Sequence, residues 1–490
     1  MVFTIVFKGK TVVFIAIVAM IFSSLGTVLV VGDGGLIDQL ETGTLFSPES
    51  ASQAAKFKEH EEKLQQAYQT IKSSYLHKVN DEQLIDGAIK GMVESLGDPY
   101  SAYMSPKQAI QFQQGLESSF TGIGAEVTLK NGRVTIISPI KDSPAEKAGL
   151  RSGDQVLKVN GISLEGMDIH EAVSKIRGPK GTKAQLQIAR PGVQDLLNIV
   201  VVRDEISLQT VEATMMSDHI GRITITQFSE NTAEDFAREL KKLEDQKLQG
   251  LIIDVRGNPG GLLPAVMDIC EQLVPNKQKI LMTEDKSGSR SVFNSKLEGK
   301  KPYPIAVLVD KGSASASEIL AAALQESGNY AVIGETTFGK GTVQTTKSFK
   351  DGSNIKITIA KWLTPKGNWI DQHGGTKGIK PDIPVDKPAY MNAIPPQANL
   401  PLKRDDNGPE VKNMQLILDA LGYQPGRTDG YFDVKTEQAV KVFQKNEGIA
   451  VTGKLDEKSA EVLREAFIEF LREPGNDIAL QAAAGYLRKK

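Results

Sequence analysis

Two short apolar runs place the strongest limit on how this chain folds, because each leads directly into a glycine-containing turn. The run LIIDV at 251–255 is followed by RGNPGG and by a helical pattern from about residue 262 to 274. The run IAVLVD at 305–310 is followed by KGSASAS and by a second helical pattern. Apolar strands that alternate with glycine-rich turns and helices are typical of an α/β core. The sequence therefore predicts an α/β core over residues 205–395.

The balance of charged residues limits the class of partner that the chain can bind. The 490 residues suffice for several domains, and 58 Lys+Arg against 60 Asp+Glu leave a net charge of −2. A chain with so little net charge has no general electrostatic attraction for nucleic acid, so we expect no nucleic-acid partner.

The single cysteine, Cys270, lies in the apolar helical stretch AVMDICEQLV. We interpret it as a buried small hydrophobic residue.

The N-terminal segment has the composition of a membrane anchor. Residues 11–31 carry no charge and are numerous enough to cross a bilayer. Lys8 and Lys10 precede them, and the next basic residue is Lys56. This asymmetry predicts a single-pass protein of the cell membrane with a cytosolic N-terminus and extracytoplasmic domains. No small-residue cleavage site follows, which favours a retained anchor, residues 1–33, over a cleaved signal.

Residues 34–115 are predicted to form a linker followed by a helical region. Four apolar or aromatic residues of its first helix fall on one stripe: Leu64, Tyr68, Ile71 and Tyr75. Two interpretations remain open. The stripe either pairs with its copy in a homodimer or packs onto its own chain.

Residues 116–204 show short β-rich runs separated by glycine turns, with one helical stretch among them. The tetrapeptide KNGR between two alternating runs is a hairpin signal. Several strands and one or two helices in a segment of this length predict a small, partly open β-barrel.

Three stretches of this segment, SSFTGIGAEV, SPAEKAGLRSGDQVLKVNG and HEAVSKIRGPKGT, resemble a PDZ domain of the bacterial protease-associated type. The resemblance implies that backbone N–H groups of one loop hold the terminal carboxylate of a peptide, a chemistry that glycines in an anion-binding turn allow. The loop residues are Phe120, Thr121, Gly122 and Ile123. Arg177 either adds positive charge near that groove or caps the end of its own helix.

The C-terminal part begins after a proline-rich linker at 396–402. A short repeat, G-x-[FL]-D-x-K-[TS], starts at Gly430 and again at Gly453, with an Asp placed to cap a helix each time. Residues 403–466 are therefore predicted to form a three-helix bundle, and they resemble the peptidoglycan-binding domain of secreted cell-wall proteins. Such a domain either binds glycan or holds the assembly together. Residues 467–490 are predicted to be a tail.

Ser315 has two interpretations. With Glu318 three residues later it forms a capping-box pattern, which would simply stabilise the helix start. A serine at a strand-to-helix turn is also where hydrolases place a nucleophile. The free N–H groups of the helix start, that of Ala316 first, would then face a developing oxyanion.

A nucleophile needs a base, and none of the five histidines lies in a recognisable motif, although His373 in a glycine-rich loop is kept as a reserve candidate. Lys340 is the alternative, since its flanking glycines let the backbone press close and exclude water. A buried lysine is uncharged at a lower pH than an exposed one. Gln344 would share a strand face with Lys340 and orient it. The other interpretation of a lysine beside glycines is a surface turn.

A near-match to a phosphate-binding loop is also present. Gly334, Gly339 and Lys340 have the required spacing, but Gly341 stands where Ser or Thr should hold a magnesium ion. A strand pattern follows where the loop needs a helix. Both departures argue against nucleotide binding.

Four motifs occur in order: DVRGNPGG, GSASASEILAAALQ, GETTFGKGTVQ and LTPKGNWI. Over residues 55–395 the chain resembles the carboxyl-terminal processing, or tail-specific, proteases, a Ser/Lys endopeptidase family known as S41. The family's nucleophile stands 25 positions before its lysine, which selects Ser315 and gives Lys340 the role of base. The resemblance also implies that Gln344 orients Lys340. The oxyanion would be held by the amides of Ala316 and of Gly261, or alternatively of Gly260.

The whole chain is thus predicted to be a multidomain α/β protein that hydrolyses peptide bonds without metal or cofactor. Its partners would be peptides with accessible C-termini, the membrane and peptidoglycan. The order of anchor, PDZ, protease and peptidoglycan-binding domain resembles the sporulation-associated branch from Gram-positive bacteria. Two alternative functions remain open for the chain. It could be a membrane-tethered PDZ adaptor with an inert protease fold, or a protein whose main function is wall binding by the C-terminal bundle.

Overall fold

The structure is a computed structural model, and it describes residues 48–117, 119–130, 132–140, 143–397 and 400–490. Only the backbone is described for residues 48–57 and for His170. The chain divides into two compact units, residues 1–92 and 93–490. The predicted transmembrane segment 11–31 lies outside the described residues. Within the described ranges, no helix combines the length and the apolar character that crossing a bilayer requires.

Two helices form the described part of the first unit. They are α1, Pro48–Ser74, and α2, Asp81–Glu94, which ends just beyond the unit. A salt bridge of 2.7 Å between Lys72 Nζ and Asp81 Oδ2 joins the end of one helix to the start of the next. Three residues of the predicted apolar stripe are exposed: Leu64, Ile71 and Tyr75.

The second unit begins with a connecting segment that pairs with strand Asn354–Leu363 of the same unit. Strand β1, Ala102–Met104, leads into helix α3, Pro106–Leu116. Ser105 caps this helix, and Gln108 completes a capping box with it.

The segment predicted as a β-barrel contains a ribbon and a larger antiparallel sheet. The ribbon pairs β2, Ser119–Gly122, with β9, Asp204–Ser207. The sheet and its two helices comprise β3 (Ala125–Lys130), β4 (Arg133–Pro139), α4 (Pro144–Lys147), β5 (Gln155–Val159), β6 (Ile162–Ser163), α5 (Ile169–Ile176), β7 (Lys183–Ala189) and β8 (Leu197–Val202). The strand order is β3-β4-β5-β7-β8, with β6 beside β5. The predicted hairpin joins β3 to β4, and β3 is left as an open edge.

A six-stranded sheet, here called the core sheet, forms the core of the segment predicted as α/β. Its strands and the helices between them are β10 (Val211–Met215), β11 (Ile220–Ile225), α6 (Thr232–Asp245), β12 (Gly250–Asp254), α7 (Leu263–Leu273), β15 (Ile305–Val309), α8 (Ala316–Glu326), β16 (Ala331–Gly334) and β19 (Ile383–Pro384). The order is β10-β11-β12-β15-β16-β19, parallel except for β10. The prediction of an α/β core is confirmed.

Both faces of this sheet are buried, which explains why its central strands are apolar throughout. Ile253 packs with α6, α7 and α8 in one cluster, whereas its neighbour Ile252 packs on the opposite face. Cys270 of α7 is fully buried and free, as predicted. Burial raises the pKa of its thiol.

A second, antiparallel sheet stands beside the core and carries the segment after Lys340. Its strands are β1, β13 (Lys279–Asp285), β14 (Arg290–Asn294), β17 (Thr342–Ser348) and β18 (Asn354–Leu363). Strand β18 is central because it pairs with β1, β13 and β17.

The C-terminal bundle consists of α9 (Pro409–Ala420), α10 (Val434–Asn446) and α11 (Glu457–Arg472), packed around Met414, Phe443 and Leu463. Beyond it the structure differs from the predicted tail. Helix α12, Ile478–Leu487, lies on the second face of the six-stranded core sheet, where Leu480 and Leu487 are buried. Burying each of these leucines stabilises the fold by about 1.5–3 kcal/mol. The last segment is therefore a layer of the core.

Candidate active site

Ser315 stands at the sharp turn between β15 and helix α8. Its backbone has φ 52° and ψ −111°, a conformation that L residues rarely adopt. Such a conformation costs on the order of 1–3 kcal/mol and must be imposed by the surroundings. A strained strand-to-helix turn projects the hydroxyl of a serine towards solvent, as in hydrolase nucleophile elbows. The local geometry therefore favours the nucleophile over a cap alone.

The Glu318 side chain accepts from the backbone of Ser315, as the capping-box pattern predicts. Ser315 N–H donates to Glu318 Oε2 at 2.8 Å. Glu318 is fully buried, and the same carboxylate accepts from Thr337 Oγ1 and Gly339 N–H at 2.6 Å each, and from Lys340 N–H at 2.8 Å. Burial raises the pKa of Glu318, and its four hydrogen bonds oppose that rise. One carboxylate thus joins the backbone of the serine turn to that of the lysine segment.

Lys340 is held by contacts on both sides of its backbone. Its carbonyl accepts from Trp362 Nε1 at 2.7 Å. A Cβ at Gly341 would lie 2.1 Å from Ile370 O, so only glycine allows this close approach. Burial lowers the pKa of Lys340, and the nearby Lys356 ammonium lowers it further. A reduced pKa is what a lysine base requires.

Gln344 lies on β17, two residues into the strand. Its Nε2 donates to Thr342 Oγ1 at 2.9 Å and to Thr358 Oγ1 at 3.2 Å. A register shift between Val343 and Gln344 interrupts the regular alternation of faces on which the orienting role was predicted. The role of Gln344 in orienting Lys340 stays a prediction.

The NPGG turn is fixed against the serine turn by Asn258. The Asn258 side chain donates to Ile225 O and accepts from Gly260 N–H, both at 2.8 Å. Asn258 O accepts from Ala314 N–H at 3.0 Å and from Ser317 Oγ at 2.9 Å. Because Gly260 N–H is already donated, Gly261 is the better candidate for an oxyanion donor in this turn.

Gly260 itself touches the serine turn. A Cβ at this position would lie 2.9 Å from Ser315 Cβ and 3.1 Å from Ala316 N, and its φ is 107°. The NPGG turn and the Ser315 turn are therefore packed directly on each other.

All five residues predicted for catalysis line one cleft. They are Ser315, Ala316, Lys340, Gln344 and Gly261. The cleft encloses about 470 Å³ of accessible space and has apolar walls from Leu262, Ile319, Val343 and Trp362. None of the described histidine side chains lines it, so the reserve candidate His373 is not brought to the site. The arrangement can hold an extended peptide beside a hydroxyl, an amine and two backbone donors.

The cleft also has a neighbour that sequence reasoning missed. Tyr100 places its ring 5.1 Å from Lys340 Nζ, although it belongs to the connecting segment far from the core in sequence. The turn signal Asp98-Pro99 marks this segment as a loop. Nothing in the local pattern indicates which element the loop contacts.

The predicted peptide-binding residues of the PDZ segment lie together. Phe120, Thr121 and Gly122 are on β2, and Ile123 follows it. The Arg177 guanidinium carbon is 4.7 Å from the centre of the Phe120 ring. This contact supports a cation beside the loop.

Arg177 stands directly after α5, at the position that the capping alternative requires. Arg177 N–H donates to Val173 O at 2.9 Å and closes the end of α5. Arg177 Nη1 donates to Gln114 Oε1 of α3 at 2.6 Å. Burial lowers the pKa of Arg177. One residue therefore ends its helix and joins the PDZ segment to helix α3 of the connecting segment.

Four known families match successive parts of the chain. The N-terminal domain of the activating protease CtpB matches residues 36–108, and a PDZ domain matches 135–190. Peptidase family S41 matches residues 219–385, and a putative peptidoglycan binding domain matches 407–463. The resemblances drawn from the motifs are confirmed.

Whole-chain relatives agree with these matches. The chain is 45% identical to the carboxy-terminal processing protease CtpB of Bacillus subtilis (strain 168), covering 91% of this chain and 93% of that protein. It is 42% identical to CtpA of the same organism, covering 97% and 98%. A probable CtpA-like serine protease of Staphylococcus saprophyticus is 38% identical, covering 83% and 82%. With relatives of this identity matched along nearly the whole sequence, the chain belongs to the S41 family of carboxy-terminal processing serine peptidases.

Proposed function

We propose that this serine endopeptidase cleaves its substrates with a dyad of Ser315 and Lys340. The observation that carries the proposal is their common cleft, in which burial lowers the pKa of the lysine beside a strained serine turn. The Glu318 carboxylate supports it, since it fixes the backbones of both residues.

The reaction follows from the groups in the cleft. Uncharged Lys340 Nζ takes the proton of Ser315 Oγ as that oxygen attacks the scissile carbonyl carbon. The amides of Ala316 and Gly261 hold the oxyanion, and losing one such donor costs roughly 2.7–4 kcal/mol of transition-state stabilisation. Lys340 then donates its proton to the leaving amine when the C–N bond breaks. It next removes a proton from water, whose oxygen attacks the acyl carbon. Lys340 returns that proton to Ser315 Oγ as the bond between this oxygen and the acyl carbon breaks.

Alanine substitution of each partner tests this dyad in the full-length protein. The substrate is an unstructured, dye-labelled peptide with a free apolar C-terminus. We expect Ser315→Ala and Lys340→Ala each to remove cleavage to the background rate while the unfolding temperature stays near that of the wild type. Cleavage at the wild-type rate by either variant would refute the dyad.

We further propose that the PDZ domain captures the C-terminus of the substrate and controls the cleft. The open edge of β3 can accept an extended peptide, and Arg177 lies beside the predicted carboxylate loop. An empty PDZ domain would hold Lys340 away from its working position until a peptide docks. The Arg177–Gln114 hydrogen bond supplies a connection that docking could change.

The carboxylate itself provides a sharp test of capture. The same peptide with a C-terminal amide should be cleaved more slowly by the wild type, and Arg177→Ala should narrow the difference between the two peptides. Equal rates for acid and amide in the wild type would contradict capture by a carboxylate loop.

We propose that the chain is anchored in the cell membrane by residues 11–31, with its catalytic domains outside. The charge asymmetry of the N-terminus and the likeness to a peptidoglycan-binding domain support this location. In intact cells, a membrane-impermeant maleimide should label Glu457→Cys but not Val2→Cys, and the native Cys270 is buried. Labelling of both variants, or of neither, would refute the orientation. Processing of envelope proteins, in sporulation signalling or elsewhere, is the role that fits this location.

We also propose a homodimer formed through α1. Its exposed stripe of Leu64, Ile71 and Tyr75 supports pairing with a second copy. Sedimentation velocity should show a dimer for the wild type and a monomer for Ile71→Asp. The control Gln66→Asp adds the same charge off the stripe and should stay dimeric. A wild-type monomer would refute the proposal.

A further inference from the structure

A tight turn at residues 98–101 forms a wall beside the catalytic lysine. Asp98 Oδ1 accepts from Tyr100 N–H at 3.0 Å, and Asp98 Oδ2 accepts from Ser101 Oγ at 2.5 Å. Ser101 N–H also donates to Asp98 O at 3.3 Å. These bonds fix the direction in which the Tyr100 side chain leaves the turn.

The turn is also joined to the sheet that carries the cleft. Ser101 Oγ accepts from Thr358 N–H at 3.1 Å, and Thr358 lies on β18 opposite Gln344. Gln372 Nε2 donates a long hydrogen bond of 3.5 Å to Tyr100 OH at the far end of the ring. The turn therefore fixes where the side chain leaves the backbone, and this long bond adds a weaker contact at its tip.

The Tyr100 ring lies beside the amine of Lys340. Lys340 Nζ is 5.1 Å from the ring centre, within the range in which an ammonium is attracted to an aromatic face. The charged groups around Lys340 come from three further elements: Asp98 of the turn, Glu318 of α8 and Lys356 of β18. The two carboxylates favour a charged amine and Lys356 opposes it.

We propose that Tyr100 is a positioning residue for the peptidase reaction, its ring face holding the Lys340 amine within the cleft. The inference rests on the proposed role of Lys340 as the base. Aromatic faces attract the ammonium and not the free amine, so the ring favours the protonated state and opposes the effect of burial. Tyr100 thereby has a share in setting the pH at which the base becomes uncharged.

Fluorinated phenylalanines at position 100 test this role with little change in side-chain size. Fluorine withdraws charge from the ring face and weakens its attraction for a cation. We expect Tyr100→Phe to keep the acid limb of kcat/KM near the wild-type pH. Successive fluorines should move that limb to lower pH, in total by about half to one and a half pH units. One pH unit below the wild-type limb, a half-unit shift would raise kcat/KM about threefold.

Tyr100→Leu gives a second measurement with genetically encoded residues. Leucine keeps an apolar wall against water but presents no ring, so its acid limb should also move to lower pH. A fall in the plateau of kcat/KM with no movement of the limb would show a merely structural role and overturn the inference. A limb that stays fixed across the fluorinated series would overturn it as well.

The proposed dyad can fail separately. An active Lys340→Ala variant would refute the base itself. An inactive Lys340→Ala variant together with a fixed limb in the fluorinated series would refute only the role of Tyr100.

Discussion

Glu318 Oε2 accepts a hydrogen bond from Lys340 N–H at 2.8 Å. This bond joins helix α8 to the segment between β16 and β17. The same oxygen accepts from the Ser315 N–H. A residue that caps a helix in the sequence pattern thus sets the separation of the nucleophile and base segments. Because all its partners are donors, a carboxylate suits this position and an amide does not.

Replacing Glu318 by glutamine should therefore impair catalysis strongly. In Glu318→Gln an NH₂ group would face backbone N–H donors in a fully buried site, leaving donors without acceptors at a cost of about 1–3 kcal/mol for each unsatisfied group. We expect kcat to fall at least about tenfold, with a lower midpoint in urea unfolding. The exposed control Glu61→Gln should match the wild type in both measurements. Wild-type kcat for Glu318→Gln would refute the bridging role.

Adding one methyl group at Gly260 should inactivate the enzyme. In Gly260→Ala the Cβ would lie 2.9 Å from both Ala314 O and Ser315 Cβ, so the NPGG turn must move away from Ser315. The predicted loss is about 10²–10³ in kcat, the usual effect of removing an oxyanion donor.

Gly257→Ala is the matched control for this substitution. Gly257 also has a positive φ, but a Cβ there has open space around it. It should lose about 1 kcal/mol of stability from backbone strain and keep its kcat. Equal loss of activity in the two variants would mean that strain, and not the contact with Ser315, is responsible.

The position of Ser315 at a turn and its proposed pairing with Lys340 were predictable because strand, turn and helix signals are local. The strand IAVLVD and the helix after it place Ser315 at a turn, and motif spacing pairs it with Lys340. The face of Gln344 was not predictable, since a register shift in a strand pair depends on the partner strand. Tyr100 was missed for a similar reason: a loop's contacts are decided by tertiary packing.

The C-terminal segment illustrates the same limit at the level of a whole element. The alanine-rich helix α12 has little polar contrast around its circumference, so its pattern indicates neither a face nor a partner. Its destination is decided by the apolar second face of the core sheet, which needs a cover. The continuous apolar strands indicate that this face must be covered. They do not indicate which segment of the chain covers it.

The pH dependence of cleavage should respond to Lys356. Its ammonium lowers the pKa of Lys340, and the proposed base is protonated below that pKa and active above it. Lys356→Met removes this repulsion, so the pKa of Lys340 should rise and the acid limb of kcat/KM should move to higher pH, by about half a unit. The control Lys347→Met removes an exposed charge from β17 and should leave the limb in place. An unchanged limb for Lys356→Met would show that Lys356 does not contribute to the pKa of Lys340.

The ion pair between Arg256 and Asp477 should stabilise the attachment of α12 to the core. Arg256 Nη1 and Nη2 donate to the two carboxylate oxygens of Asp477 at 2.8 and 2.7 Å, and Leu480 N–H donates to Asp477 Oδ1 at 3.0 Å. Asp477→Ala should lower the free energy of unfolding by about 2–4 kcal/mol, because a capping bond is lost and a half-buried arginine loses one of its partners.

Asp477 should also make stability depend on pH. Burial would raise its pKa, but the hydrogen bonds and charge of Arg256 outweigh that effect and lower it. A carboxyl group with a lowered folded-state pKa contributes its full stability above its unfolded-state pKa of about 4, and that stability is lost as pH falls through the folded-state value. Urea unfolding at pH 7 and at pH 3 should therefore show a smaller difference between wild type and Asp477→Ala at pH 3. The exposed control Asp419→Ala should show no such convergence, and an equal difference at both pH values would mean that Asp477 acts through packing instead of charge.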